Sequence, residues 1–327
     1  MRADSARWRR RSLTVPLYLL AAATALALLP LLAVIALGLD LVTRRRMAVS
    51  RAILFATVYL CCEAAGILVA VLLWLARPLI GHARFLSGNH TLQRAWSQAL
   101  LHSLVGIFQI RLVVEGAEAL AGGPLLLLVR HASMIDTVLP MHLVTIPHRY
   151  RARYVLKAEL LWDPCLDIVG NRVPNAFIQR GAGASEVAEI AALGADLSDD
   201  GLVVLFPEGT RFSPSRRDRR LGDMAKRDDP MLAAATSLRH TLPPRSGGAI
   251  GLIEAAPTAD VAFCTHTGLE GIQGFAQLPS LVGREVRVAF WRIPAAAVPT
   301  TDRRGWLMAE WGRVDAWIAE QGTMLRP

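Results

Sequence analysis

Leu125-Leu-Leu-Leu-Val129, followed at once by Arg130-His-Ala-Ser-Met-Ile-Asp-Thr137, decides how this chain folds. Five consecutive apolar residues read as a strand buried on both faces. Strands of that kind lie in sheets covered by helices, where chemistry sits just past the carboxyl ends of the strands. His131 and Asp136 occupy that place. Imidazole takes a proton near neutral pH, and a nearby carboxylate fixes its tautomer and stabilises the imidazolium. Alone, the pair is a weak signal. A strand-end histidine can be purely structural, and Asp136 can cap the helix that follows, with or without orienting His131.

Val203-Val-Leu-Phe-Pro-Glu-Gly-Thr-Arg211 supplies a second strand that ends in a polar turn. Gly209 permits close backbone approach, Thr210 offers a hydroxyl, and Arg211 offers a planar fork for phosphate. The bland alternative is an ordinary turn with a salt bridge. Outward from these two stretches, residues 110–114, 154–156, 175–178, 261–265 and 286–291 also read as strands, and 125–129 and 202–206 join them. Helical patterns cover 135–145, 159–169, 185–197, 230–239 and 304–321, the last carrying Trp306, Trp311 and Trp317. Alternation of this kind predicts an α/β fold, a mixed sheet flanked by helices. Residues 213–229 hold ten charged side chains and read as a mobile insertion.

Four blocks in fixed order carry a resemblance. His131-x4-Asp136, Lys157-Ala-Glu-Leu160, Phe177-Ile-Gln-Arg180 and Phe206-Pro-Glu-Gly-Thr-Arg211 are similar to those of the glycerolipid acyltransferases, whose central member is 1-acylglycerol-3-phosphate acyltransferase. The similarity runs from about Leu112 to about Gly271. Two departures stand out: Pro174 replaces a frequent Gly, and Val261-Ala-Phe-Cys-Thr-His266 lacks the prolines usual in the late hydrophobic block.

The resemblance implies the glycerolphosphate acyltransferase-like fold and an acyltransferase without a bound cofactor or metal. Acyl-CoA or acyl carrier protein would donate, and lysophosphatidate would accept to give phosphatidate. It implies catalysis by His131 and Asp136. Arg180, Glu208, Gly209, Thr210 and Arg211 would bind substrate, with Lys157 and Phe177 as further candidates. Lys157 and Glu159 could equally pair with each other. Alternatives are another lyso-lipid acceptor, a non-catalytic lipid-binding membrane protein, or a hydrolase or transacylase. Ser133 lacks the Gly-x-Ser-x-Gly elbow of a serine nucleophile and reads as a local hydrogen-bonding residue. A backbone N–H at the start of the helix after His131 is one candidate oxyanion donor.

The 327 residues suffice for one large domain and an appendage. Hydrophobic residues make up 53%, much of the excess in the first eighty. Residues 13–39 hold no charge and 53–76 hold only Glu63. Each exceeds the roughly 20 apolar residues that cross a bilayer, and each is longer than the apolar core of a signal peptide. Residues 1–84 are therefore read as membrane-associated helical segments, and 85–327 as the acyltransferase domain. Arginines flank both segments, Arg44, Arg45 and Arg46 among them. Two full crossings would strand that middle cluster outside, whereas a hairpin entering from the cytoplasmic side keeps all of them on one face. Both topologies stay open; either gives a cytoplasmic-membrane protein with its catalytic domain on the cytosolic face.

The formal charge of +9, nearly all arginine, points to phosphorylated partners: the lipid bilayer and lysophospholipid, coenzyme A, or an acidic carrier protein. No nucleic-acid-binding motif appears in the sequence. Cys61, Cys62, Cys165 and Cys264 lack metal-ligand spacing and read as small buried hydrophobes.

Overall fold

The computed structural model describes residues 2–44, 46–179, 181 and 183–324. The chain divides into two compact units. The first comprises Met1–Arg111, Leu156–Phe177 and Gly274–Arg284; the second comprises Leu112–Val155, Ile178–Gln273 and Glu285–Pro327.

The first unit is built on two long helices, α1 (Arg2–Thr43) and α2 (Ala48–Phe108). Both are long and apolar enough to cross a membrane. The 42 residues of α1 span about 63 Å at 1.5 Å per residue, well beyond the roughly 30 Å of a hydrocarbon core. Asp40 accepts hydrogen bonds from the Val49 N–H (3.0 Å), the Ser50 N–H (2.8 Å) and the Ser50 hydroxyl (2.7 Å), so it closes the α1–α2 hairpin. The helix α2 breaks at Gly81 (φ 76°, ψ 171°), a backbone region open essentially to glycine, three residues after Pro78 removes an N–H. It then continues to Phe108, through residues 85–108, where no helix is expected from the sequence pattern.

Polar side chains of this unit point inward. Arg10 Nη2 (2.8 Å) and Arg11 Nε (3.1 Å) hold the fully buried Asp167 carboxylate. Glu63 accepts from the Trp96 indole N–H (2.8 Å) and the Cys165 backbone N–H (3.2 Å). Tyr59 donates to Asp163 at 2.8 Å. The predicted helix 159–169 splits into a 3-10 turn (Ala158–Trp162) and α3 (Pro164–Ile168). Pro164 cannot continue a helix but suits its first turn, and Asp163 caps α3 by accepting from Leu166 N–H at 2.9 Å.

The described strands are β1 (Arg111–Glu115), β2 (Leu125–Val129), β3 (Arg151–Lys157), β4 (Ala176–Ile178), β5 (Gly201–Leu205), β6 (Asp260–Thr267) and β7 (Glu285–Ile293). They form a seven-stranded mixed sheet in the order β1-β7-β6-β2-β5-β3-β4. The centre is parallel: β2 pairs with β5 and with β6, and β5 with β3. Only β7 runs antiparallel to β6 among the registers seen. Every residue of β2 and of β5 is buried, as their unbroken apolar sequences require.

Helices α4 (Ala184–Ala192), α5 (Pro214–Ala225), α6 (Leu232–Ser237), α7 (Ser246–Ala255) and α8 (Arg303–Met324) complete the second unit. Three expectations change. The predicted helix 135–145 is an irregular run, with a 3-10 turn at Ile135–Thr137 and a π turn at Met141–Thr145 after Pro140. The segment 213–229, read as mobile, holds the ordered helix α5. The Ser213 hydroxyl caps it, and Arg217 and Arg220 bond the carbonyls of Leu238, Thr236 and Pro243. Its charges reflect an amphipathic surface helix rather than disorder. Lastly, α7 is a helix that no sequence pattern predicts, because its glycines disfavour helix by about 1 kcal/mol each. Those glycines are used for close approach: a Cβ on Gly248 would lie 2.9 Å from Ile190 of α4.

Candidate active site

The strand register assembles the site. Leu128 of β2 lies opposite Leu205 of β5, and Val129 lies opposite Cys264 of β6. Carried forward by the same number of residues, this alignment brings His131, Glu208 and His266 to the carboxyl ends of three adjacent parallel strands. The hydrogen bonds bear it out. The His131 N–H donates to Glu208 Oε1 at 2.7 Å, the Phe212 N–H donates to the His131 carbonyl at 2.7 Å, and the rings of His131 and Phe206 lie 4.8 Å apart. Thus the His131–Asp136 turn and the Phe206–Arg211 turn, 77 residues apart, are one structure.

The Asp136 carboxylate is fully buried. Its Oδ2 lies 3.1 Å from His131 Nδ1 and accepts the Ala132 (2.5 Å) and Ser133 (2.7 Å) backbone N–H groups. It therefore folds back over its own turn and does not cap the helical turn that follows. Burial would raise its pKa, but His266, His131 and the Ser133 N–H together hold it below the ordinary aspartate value. An ionised carboxylate only accepts, so His131 Nδ1 carries a proton, and in the neutral ring Nε2 is left as the acceptor. Among the described residues no protein group bonds Nε2, and the ring retains 14% of its exposure. The Ser133 hydroxyl accepts from Ile135 N–H at 3.1 Å, the local role expected of it.

The turn N–H groups are spent. Those of Ala132 and Ser133 go to Asp136, that of Met134 to the Ile272 carbonyl (3.1 Å), and that of Ile135 to Ser133. Of the candidate oxyanion donors at the start of the helical turn after His131, the Ile135 N–H is consequently committed elsewhere.

Glu208 differs from its sequence expectation as a substrate ligand. It is fully buried, and its oxygens accept from the backbone N–H groups of His131 (2.7 Å) and Leu242 (2.8 Å). Burial pushes its carboxyl up to about 8, against the pull of those two N–H groups and of Arg130. It ties the histidine turn to the 239–242 loop. That loop is held in turn by Asp315 of α8, which accepts from the Arg239 (2.9 Å), His240 (2.7 Å) and Thr241 (2.8 Å) N–H groups. Gly209 takes φ 65°, and a Cβ there would press on the Arg245 side chain at 3.1 Å, so both backbone and space favour glycine.

Thr210 is half-buried. Arg211 donates from Nη1 to the Gln273 carbonyl at 2.6 Å, its single protein acceptor among the described residues. Arg180 lies outside the described residues. Lys157 and Phe177 belong to the first unit, where Phe177 lies against Gly170.

Two groups went unnoticed in sequence. Arg130, only 1% exposed, donates from Nη1 to Glu270 (2.5 Å) and to the His266 carbonyl, and from Nη2 to the His240 carbonyl at 3.1 Å. His266, fully buried, lies with Nε2 3.5 Å from Asp136 Oδ1. The available signal was a histidine closing an apolar run, the same pattern that marks His131.

An acyltransferase family model matches residues 111–264, a segment that contains all four of the sequence blocks quoted above. No curated protein matches the chain. Among solved structures, the 1-acyl-sn-glycerophosphate (LPA) acyltransferase PlsC from Thermotoga maritima is similar at a TM-score of 0.45 and 14% identity, over 81% of this chain and 99% of that one. Over residues 111–264, this chain is therefore similar to the acyltransferase family.

Proposed function

We propose that this enzyme transfers a fatty acyl chain from an acyl thioester to the free hydroxyl of lysophosphatidate, giving phosphatidate. The observation that carries the reading is His131 Nε2, which no described protein group bonds, in a turn joined to the Arg211 segment by the Phe212–His131 hydrogen bond. Nε2 takes the hydroxyl proton as the oxygen attacks the thioester carbonyl. A C–O bond forms, the C–S bond breaks, and the thiolate recovers the proton from His131. Asp136 balances the transient imidazolium. Such base catalysis is typically worth about 10² to 10⁴ in rate. Arg211, with Arg180 as its expected partner from the sequence blocks, fixes the acceptor phosphate by bidentate hydrogen bonds. Coenzyme A and acyl carrier protein are both chemically suitable donors, since each presents the same thioester.

The apolar helices α1 and α2 support residence in the cytoplasmic membrane, where acceptor and product live, with the site facing the cytosol that supplies the donor. The deciding experiment is a donor-by-acceptor matrix on purified full-length protein in nanodiscs. Lysophosphatidate with acyl-CoA or acyl carrier protein should turn over. Turnover confined to other lyso-lipids would displace the acceptor assignment, and turnover without any thioester would displace acyl transfer from a thioester. Arg211→Ala should raise KM for the phosphorylated acceptor about tenfold, the loss of one charged bidentate contact.

A further inference from the structure

The His131–Asp136 pair has a third member. His266 ends the run Val261-Ala-Phe-Cys-Thr-His266, and the β2–β6 register sets it beside the residue that follows Arg130. Its ring is fully buried. Nε2 lies 3.2 Å from the Arg130 carbonyl and 3.5 Å from Asp136 Oδ1. Both neighbours are acceptors, so Nε2 must carry a proton. Asp136 Oδ1 and His266 Nδ1 are themselves buried and have no hydrogen-bond partner among the described residues. The carboxylate thus spends Oδ2 on His131 and two backbone N–H groups, while Oδ1 lies 3.5 Å from His266 Nε2, within ion-pair range and outside hydrogen-bond geometry.

We infer that His266 is a positioning residue for acyl transfer: its Nε2–H, bonded to the Arg130 carbonyl and 3.5 Å from Asp136 Oδ1, sets one carboxylate between two imidazoles, so that His131 keeps the tautomer with a bare Nε2. The inference rests on His131 being the base. A neutral donor suits this place. A second imidazolium would compensate the Asp136 charge and weaken its support of the developing His131 cation. The surroundings keep the ring neutral. From β2, Arg130 stands against it as a fixed cation; Asp136 and Glu270 pull the other way; burial and Arg130 prevail, and the ring is held below the ordinary histidine value. Arg130 also bonds the His266 carbonyl, so the backbone that presents the ring is anchored.

The test uses the full chain in nanodiscs and reads kcat, KM and the kcat–pH profile. His131→Ala comes first: if it keeps full activity, the base assignment fails, whatever His266 does. With that variant inactive, His266→Leu should lose about tenfold in kcat with KM little changed, as outer-shell partners of catalytic groups commonly show. The acid limb of its profile should move upward, because Asp136 ionises less readily without the donor. His266→Gln, whose amide N–H can reach the same oxygen, should recover most of the loss. Wild-type kcat in the Leu variant, or equal losses in Leu and Gln, would overturn the proposal. Imidazole ¹⁵N spectra of the wild-type protein decide without relying on any variant's fold. A neutral Nε2–H ring at His266 through the neutral range is expected, and an Nδ1–H ring or a titrating one overturns it.

Discussion

The two units of this protein sort polar and apolar residues in opposite ways. In the second, the strands β2 and β5 are wholly buried and polar groups gather at their carboxyl ends. In the first, Leu20, Leu31, Val34, Leu41, Val42 and Leu79 are each at least half exposed, whereas Glu63, Asn89 and Asp167 are buried and hydrogen-bonded. Water selects the former arrangement. A lipid environment selects the latter, because it leaves no solvent partner for a polar group on the outside. The difference separates two kinds of substitution: chemistry should be lost in one unit, and anchorage or stability in the other.

The comparison can be broken at several points. His131→Ala should lower kcat about 10²- to 10⁴-fold with an unchanged melting temperature, measured by initial rates and thermal unfolding on one preparation. An equally large loss from a first-unit surface change would erase the distinction. Leu20→Arg with Leu31→Arg adds about 2.5–3.5 kcal/mol of insertion cost per residue at mid-bilayer. Alkaline extraction should then release the protein from membranes, and retention of the double variant would count against lipid contact of α1. Asp167→Ala strips Arg10 and Arg11 of their shared acceptor and should destabilise the first unit by about 2 kcal/mol, read by unfolding, with kcat preserved.

A further test lies in pH dependence. The Glu208 carboxyl, raised to about 8 by burial, binds its proton more tightly folded than unfolded. Its stabilising contribution is complete below the unfolded value of about 4.3 and is lost as pH rises through about 8. Melting temperature should therefore decline between those limits in the wild type, and Glu208→Gln should flatten that decline. A steeper slope in the variant would reverse the sign of the assignment.

All seven strands were legible because buried strands announce themselves as apolar runs or alternations, and their ends fell within a few residues of the predicted ones. The meeting of the His131 and Phe206–Arg211 turns was legible in the same way, since both follow strands. Other features depend on partners far along the chain. The charges of α5 looked like a solvated insertion until Leu238, Thr236 and Pro243 were seen to receive its arginines. The helix α7 hid behind glycines whose purpose is the nearness of Ile190. His266 gains meaning only from Asp136, 130 positions earlier. Glu208 illustrates a subtler limit: its place beside His131 was implied by the blocks, but its burial and its two backbone donors were not.

The lateral alignment of β2 with its two parallel neighbours works like the timing of a gear train. Nothing covalent links His131 to Glu208 or His266; each arrives at its station because the strand behind it is counted off against the next. A single-residue deletion within Leu125–Val129 would turn every following side chain to the opposite face and leave the imidazole out of step with both partners. Lengthening the stretch between α4 and β5 should leave that count untouched. Evolution is thus free to elaborate the connections while the stride of three short strands stays fixed.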